Sequence, residues 1–245
     1  MDEYLELQRY GRDKTTLIDN GYILSGAFRK KFDAISTNID VSRTLYSKAK
    51  EMLMHRSGTK YEDMYWIDGD CGKVLAKETN AIEEEQILYS NSVQCAISGR
   101  ENVIAMHTHP CSMPPSIADF NSVYEHNYML GIVVCHNGKV FCYKSSETVT
   151  QTMYNLYVAD YYQLLHDEYE AQIAALNEMM KTYDIAYWEV EGMDRIVYVQ
   201  EDHFEVPEEL LRMSHEELRA KIAEERRKEL ERKRRQLDLL EKTLD

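Results

Sequence analysis

The sequence predicts a mixed α/β fold, in which a β-sheet is flanked by helices. Short apolar runs of strand length alternate with longer segments whose apolar residues recur every three or four positions, the period of a helix. Hydrophobic residues make up 44% of the 245 residues, which is enough to build a core. No run of about 18 apolar residues is present to cross a membrane. We therefore expect a soluble α/β domain with helical additions.

The net charge restricts the partners of this chain. It has 29 Lys and Arg against 43 Asp and Glu, a formal charge of −14, which disfavours general binding to nucleic acid or anionic membranes because both are negative. The N-terminus is polar, and the five cysteines lack the spacing of a disulfide framework. These features predict a cytoplasmic protein with free thiols.

The first elements of the domain follow from local patterns. Apolar residues at three- and four-residue intervals predict a helix from Val41 to His55, ending at Ser57-Gly58. Two short runs, MYWID and KVLAK, are joined by a glycine-containing turn and predict a β-hairpin. Residues 103–106 (VIAM) predict a buried strand that leads directly into His107.

The second half of the domain continues the alternation. A helix is expected to open near Ser116 and to continue through residues 121–130. The runs GIVVC and KVFCYK flank Asn137-Gly138, a strong hairpin signal. A long helix from about Thr150 to Lys181 carries a tyrosine-rich stripe, for which packing on the sheet is favoured over a binding surface. The stripe comprises Tyr154, Tyr157, Tyr161, Leu164 and Leu165. One or two strands follow within residues 182–200.

These patterns divide the chain into four parts: an N-terminal extension (1–40), the domain (41–145), a helix with short strands that packs on it (146–205), and a charged C-terminal helix (206–245). Residues 208–245 contain 11 basic and 11 acidic residues, so residues 1–207 carry the whole net charge. The apolar stripe of the tail is broken, which favours a solvated helix. Self-association or partner binding through this helix remains an alternative.

One segment, residues 106–121 (MHTHPCSMPPSIADFN), has the residue types of a metal site. His107 and His109 lie two apart at the end of a strand, so both imidazoles point to the same face. Asp119 follows ten residues after His109, near the start of the next helix. Two imidazoles and a carboxylate form a three-ligand set that leaves one position of a tetrahedral zinc open, which is typical of catalytic zinc.

Each residue of this segment also has a structural interpretation. Ser116 and Asp119 have the spacing of a helix-capping box, and a capped first turn would also hold Asp119 rigidly. Cys111 lies beside the histidines, where a small loop residue is favoured over a regulatory thiol or an extra ligand. Cys135 and Cys142 fall within strands and are expected to serve in packing.

The motif resembles the signature of the JAB/MPN (JAMM) zinc metallopeptidases: a glutamate, a long gap, H-x-H, about seven residues, then S-x-x-D. Six residues separate His109 from Ser116 here. The resemblance covers roughly residues 41–145 and implies a mixed sheet flanked by helices in cytidine deaminase-like layers. It also implies that His107, His109 and Asp119 bind one Zn²⁺ per chain, and that Ser116 helps to stabilise the oxyanion.

The family also has an upstream glutamate that activates the zinc-bound water, and Glu62 has the corresponding place between the first helix and MYWID. The competing candidates are Glu78, at the end of the second hairpin strand, and the acidic run Glu83, Glu84 and Glu85, which is typical of a solvated turn. Asp63 is adjacent to Glu62 but is expected to point to the opposite face of the strand.

The resemblance implies a zinc-dependent hydrolase that cleaves a peptide or isopeptide bond of a protein or peptide substrate, with a ubiquitin-like conjugate as one candidate. Two alternatives stay open. One is a non-catalytic binding or scaffold module of the MPN type, since some members have lost their metal. The other is a nucleic-acid-associated JAB-type protein, which the acidic body disfavours.

Overall fold

A computed structural model describes residues 16–84, 86–110, 113–191 and 196–198, together with scattered positions between 213 and 228. In chain order, the helices are α1 (Asn20–Ile23), α2 (Gly26–Ile35), α3 (Ile39–Arg56), α4 (Asn91–Ile97), α5 (Ile117–Glu125), α6 (Gln151–Leu165) and α7 (Glu168–Thr182). The strands are β1 (Met64–Asp68), β2 (Val74–Glu78), β3 (Val103–His109), β4 (Leu130–Cys135), β5 (Val140–Ser145), β6 (Ile185–Val190) and β7 (Ile196–Tyr198).

The strands form one mixed sheet in the order β2-β1-β3-β4-β5-β6-β7. Strands β3 and β4 are parallel, and every other neighbouring pair is antiparallel. The expected fold class, a mixed sheet flanked by helices, is therefore confirmed. Both hairpins are also confirmed, β1–β2 around the turn at Gly72 and β4–β5 around Gly138, where each glycine has a positive φ.

Helices cover both faces of the sheet, so the strands at its centre are buried on two sides. Helices α1, α2 and α3 pack on one face, together with apolar side chains such as Tyr65, Ile104 and Met106. Helices α4 to α7 cover the other face, where Met64, Ala105 and further strand residues point. Side chains alternate between the two faces with the period of two that a strand imposes. This alternation decides which residues of β1 and β3 can meet.

The N-terminal part of the described chain belongs to the core. Ile23 of α1 and the two phenylalanines of α2, Phe28 and Phe32, are fully buried beside α3. Phe28 and Phe32 pack edge to face at 5.1 Å between ring centroids. An N-terminal extension had been expected up to residue 40, whereas residues 20–35 contribute to the same apolar layer as the domain.

Two helix boundaries differ from the expectation. The helix that begins after Ser116 ends at Glu125, five residues early, because Asn127 adopts a positive φ and Leu130 already opens β4. The long helix expected from Thr150 to Lys181 is two helices. His166 has a left-handed backbone (φ 54°) that ends α6, and the Asp167 side chain caps the start of α7. The tyrosine-rich stripe is packed against the core, as expected.

Of the other expected elements, one helix agrees with the structure and the C-terminal helix lies mostly outside the described residues. The helix predicted from Val41 to His55 is α3, whereas helix α4, capped by Ser90, had not been predicted. Of the charged C-terminal helix, the structure describes only scattered residues, among them a reciprocal hydrogen-bonded pair of Ser214 and Glu217. Among the described residues, no helix combines the length and the apolar composition needed to cross a membrane.

We expect the substitution Phe32→Ala to lower the free energy of unfolding by about 3–5 kcal/mol, because it leaves a cavity in a fully buried cluster. Urea denaturation measures this change. Leu24→Ala, at a side chain that is 56% exposed, is the control and should change the stability by less than about 0.5 kcal/mol. Equal effects of the two substitutions would contradict the placement of α2 in the core.

Candidate metal centre

The pairing of β1 with β3 brings the candidate residues to one end of the sheet. Met64 lies opposite His107 in the antiparallel register. One residue further, the amide of Asp63 donates to the Thr108 hydroxyl at 3.0 Å, and the amide of Thr108 donates to the Asp63 carbonyl at 3.1 Å. Continuation of this register places Glu62 opposite His109. Both histidines therefore share a face of the sheet with Glu62.

The imidazoles and the carboxylate of Asp119 converge on one point. The Nε2 atoms of His107 and His109 are 3.1 Å apart. Asp119 Oδ1 lies 3.2 Å from His107 Nε2, and its Oδ2 lies 3.4 Å from His109 Nε2. A tetrahedral zinc with bonds of about 2.0–2.1 Å separates its ligand atoms by about 3.3 Å. The spacing of these donor atoms is compatible with a single metal ion.

A backbone carbonyl fixes the orientation of His109. Its Nδ1 donates to the carbonyl oxygen of Met113 at 3.0 Å, which leaves a lone pair on Nε2 for a metal. The same carbonyl accepts a hydrogen bond from the thiol of Cys135 at 3.4 Å. Cys135 is thus a buried packing residue that also contacts the loop of the site. Cys142 is likewise buried, and burial raises the pKa of its thiol.

The capping box positions Asp119. The Ser116 side chain accepts a hydrogen bond from the Asp119 amide, while the amide and hydroxyl of Ser116 donate to Asp119 Oδ2 at 2.7 and 2.8 Å. The carboxylate that meets the histidines is therefore also part of the helix cap. The structural and the metal-binding interpretations of this motif are compatible, because the carboxylate of the cap is also the one that faces both histidines.

Glu62 lies beside the two histidines. One carboxylate oxygen of Glu62 and one nitrogen of each imidazole all lie within 4.8 Å of one another, and all three residues are buried. The competing glutamates that the structure describes are not buried beside the histidines, although Glu84 lines the same cleft. Glu78 is the last residue of β2 and accepts from the Asn80 amide. Glu84 is exposed and forms an ion pair with Lys60 across 3.6 Å.

Asp63 points to the opposite face, as expected from the strand period. Its carboxylate is 1% exposed and binds the Arg56 guanidinium, the last residue of α3, as well as His55 Nδ1 at 2.7 Å. Arg56 also donates to the carbonyl of Thr79 at 2.7 Å. This buried ion pair connects α3 to the start of β1, and it therefore fixes the backbone immediately after Glu62.

The charged groups of this cluster stabilise one another. Burial raises the pKa of Asp119, but the charges and hydrogen bonds of the two histidines outweigh it and hold that pKa well below the usual value. Burial lowers the pKa of His109, but its hydrogen bond to Asp119 and the charges of Glu62 and Asp119 raise it to about 9. Protons and a metal ion therefore compete for the same atoms.

These residues line a cleft with a volume of about 630 Å³, a size typical of ligand pockets. Its walls come from the end of β3, the loops at residues 84–89 and 113–116, and the helices α5, α6 and α7. The buried phenol of Tyr143 on β5 also lines the cleft, next to His107.

The structure brings together all five residues that the sequence suggested: Glu62, Ser116, His107, His109 and Asp119. Cys111 lies outside the described residues. Sequence reasoning missed three groups. The Met113 carbonyl lies within the motif segment but is a backbone group without a residue signature. Tyr143 reaches the cleft from β5 through the tertiary fold, and Arg56 binds Asp63 on the opposite face of the sheet.

Comparison of the chain with protein-family models, with curated proteins and with solved structures found no match. The resemblance to the JAB/MPN metallopeptidases therefore depends on the motif residues of the sequence alone.

We expect Asp119→Asn to weaken zinc binding by more than about a hundredfold. Mutation of a residue that only hydrogen-bonds to a ligand already costs about ten- to hundredfold, and the loss of a ligand should cost more. Asparagine keeps the shape of the side chain but lacks the negative charge that faces both histidines. Competition with a chromogenic chelator measures the affinity. Glu125→Gln, at an exposed residue of the same helix, is the control, and equal affinities of the two variants would exclude Asp119 as a ligand.

We expect Arg56→Met to lower the free energy of unfolding by about 3–5 kcal/mol, because it leaves the buried Asp63 carboxylate without its guanidinium. Chemical denaturation measures the loss. Lys48→Met is the control, since it removes a partly exposed ion pair with Glu51 and should cost about 0–1 kcal/mol. A small loss for both variants would show that Asp63 does not depend on Arg56.

Proposed function

We propose that the protein is a zinc-dependent hydrolase that cleaves a peptide or isopeptide bond, in the manner of the JAB/MPN metallopeptidases. One observation carries this proposal: a carboxylate, Glu62, lies within reach of a His107–His109–Asp119 set whose spacing fits zinc, inside a cleft. Three protein ligands leave a coordination position open, which distinguishes catalytic from structural zinc sites.

When bound, zinc would polarise a carbonyl and lower the pKa of water toward neutrality. The groups of the protein supply the remaining steps. Glu62 accepts a proton from the attacking water and returns it to the leaving amine, as general base and then general acid. A carboxylate suits both roles because it can gain and release the same proton within one catalytic cycle.

Ser116 has two tasks in this proposal. Its hydroxyl donates to Asp119 Oδ2 at 2.8 Å in the structure, which holds the carboxylate toward the histidines. A rotation of the hydroxyl hydrogen lets the same group donate to the oxyanion that develops on the substrate carbonyl. Ser116 is half-buried at the cleft wall, so its hydroxyl is accessible from the cleft.

The cleft suits a short extended segment of a polypeptide. Its lining mixes apolar side chains, such as Met64, Ile87 and Leu176, with the amides of Gln151 and Gln172. Such a surface can contact side chains and backbone amides of a peptide in alternation. A protein conjugate, with a ubiquitin-like protein as one candidate, would present its linking segment here.

The alternative functions have less support. A non-catalytic scaffold module has no need for a buried glutamate beside two histidines and an aspartate, since burial of charged groups is costly. A nucleic-acid-associated role is disfavoured by the formal charge of −14, all of it within residues 1–207. For the same reasons we propose a cytoplasmic protein with protein or peptide partners and no membrane association.

We expect Glu62→Gln to retain zinc and to lower kcat/KM by about a hundred- to ten-thousandfold, because glutamine cannot accept the proton. Mass spectrometry of cleaved peptide and isopeptide-linked libraries identifies a substrate, and elemental analysis measures the zinc. Glu78→Gln is the matched control and should keep full activity. Wild-type protein that binds zinc but cleaves neither library, or a fully active Glu62→Gln variant, would contradict the proposal.

A further inference from the structure

The two histidines of the proposed metal centre differ in whether Nδ1, the nitrogen that faces away from the site, forms a hydrogen bond. His109 Nδ1 donates to the Met113 carbonyl. His107 is 3% exposed, and its Nδ1 is buried without a hydrogen-bond partner among the described residues. A histidine that binds a metal through Nε2 carries a proton on Nδ1 and almost always donates it. A buried donor left without a partner costs about 1–3 kcal/mol.

The aromatic ring of Tyr143, which carries a hydroxyl group, packs against the His107 ring. The two ring centroids are 6.3 Å apart, and the ring planes are perpendicular. The two rings are in contact without a hydrogen bond between them; a hydrogen bond would need the phenol oxygen and Nδ1 to approach to about 2.8–3.0 Å. Tyr143 is 2% exposed. Burial, together with the negative charges of Asp119 and Glu62, raises the pKa of its phenol well above the usual value, so the hydroxyl stays neutral.

The sheet places the Tyr143 ring across β4 and next to the strand that carries His107. Tyr143 on β5 pairs with Gly131 on β4, and Gly131 in turn pairs with Ala105 on β3. The far end of the phenol ring lies directly over Gly131, because a Cβ added at this glycine would overlap Tyr143 Cζ. The ring therefore crosses β4, and its hydroxyl extends toward β3, the strand that carries His107.

The neighbouring polar groups on this face already have partners. The Tyr128 hydroxyl accepts a hydrogen bond from Trp66 Nε1 at 2.8 Å. The Tyr89 hydroxyl forms a hydrogen bond with Ser122 Oγ at 2.9 Å. Tyr143 is the tyrosine of the cleft whose ring contacts His107.

We propose that Tyr143 is a positioning residue of the metal centre, whose hydroxyl oxygen accepts the Nδ1 proton of His107 when Nε2 binds the metal. The interaction fixes the imidazole in the tautomer that presents its Nε2 lone pair to the site. Gly131 is part of the same arrangement, because any larger residue there would displace the phenol. This inference rests on the proposed zinc site and adds an outer partner to it.

The test is the zinc affinity of the full-length Tyr143→Phe variant, measured by competition with a chromogenic chelator. Phenylalanine keeps the ring over Gly131 and removes only the hydroxyl, and we expect a loss of about ten- to hundredfold. Tyr187→Phe is the matched control. Tyr187 pairs with Tyr143 on the next strand, is fully buried and donates to Asn177, so its variant should lose stability but keep the zinc affinity of the wild type.

A second measurement needs no variant. In the zinc-loaded wild-type protein, we expect NMR to show a slowly exchanging Nδ1 proton on His107 with the downfield shift of a hydrogen-bonded imidazole. Loss of this signal in Tyr143→Phe but not in Tyr187→Phe would support the proposal. Unchanged zinc affinity and an unchanged signal in Tyr143→Phe would overturn it and leave the proposed hydrolase intact. A wild-type protein that binds no zinc would overturn both.

Discussion

The antiparallel pairing of β1 with β3 is the constraint on which the candidate site depends. Because side chains alternate along a strand, this register alone puts Glu62 on the face of the two histidines and Asp63 on the other face. A shift of one residue would exchange these two carboxylates and leave the histidines without a base. The buried ion pair between Asp63 and Arg56 stabilises the observed register. The ion pair of Asp63 therefore holds the neighbouring Glu62, the proposed catalytic residue, in position.

Asp119 has a structural role in the helix cap and also belongs to the proposed metal site. It closes the capping box with Ser116 and simultaneously faces both histidines. The cap restrains the carboxylate before any metal arrives, which reduces the conformational entropy that binding would otherwise cost. Burial lowers the pKa of His109, but the hydrogen bond to this carboxylate and the charges of Glu62 and Asp119 raise it to about 9. Zinc would then replace protons within an arrangement that is already formed.

The sequence predicted those parts of the fold and of the site that depend on local patterns. The two-residue spacing of the histidines, the capping pattern that contains Asp119, and both hairpins are signals of short range. The break at His166 was missed because the apolar stripe continues across it. Arg56 and Tyr143 were missed for a different reason. The order of the strands brings Tyr143 of β5 next to His107, and Arg56 of α3 acts through Asp63 on the opposite face of the sheet.

X-ray absorption spectroscopy of the zinc-loaded protein tests the central claim most directly. Zinc bound by His107, His109 and Asp119 should give a first shell of nitrogen and oxygen only, at about 2.0–2.1 Å, with the multiple scattering of two imidazoles. One zinc ion per chain is expected. A sulfur shell at about 2.3 Å, or the signature of hydrated zinc without imidazole, would contradict the account.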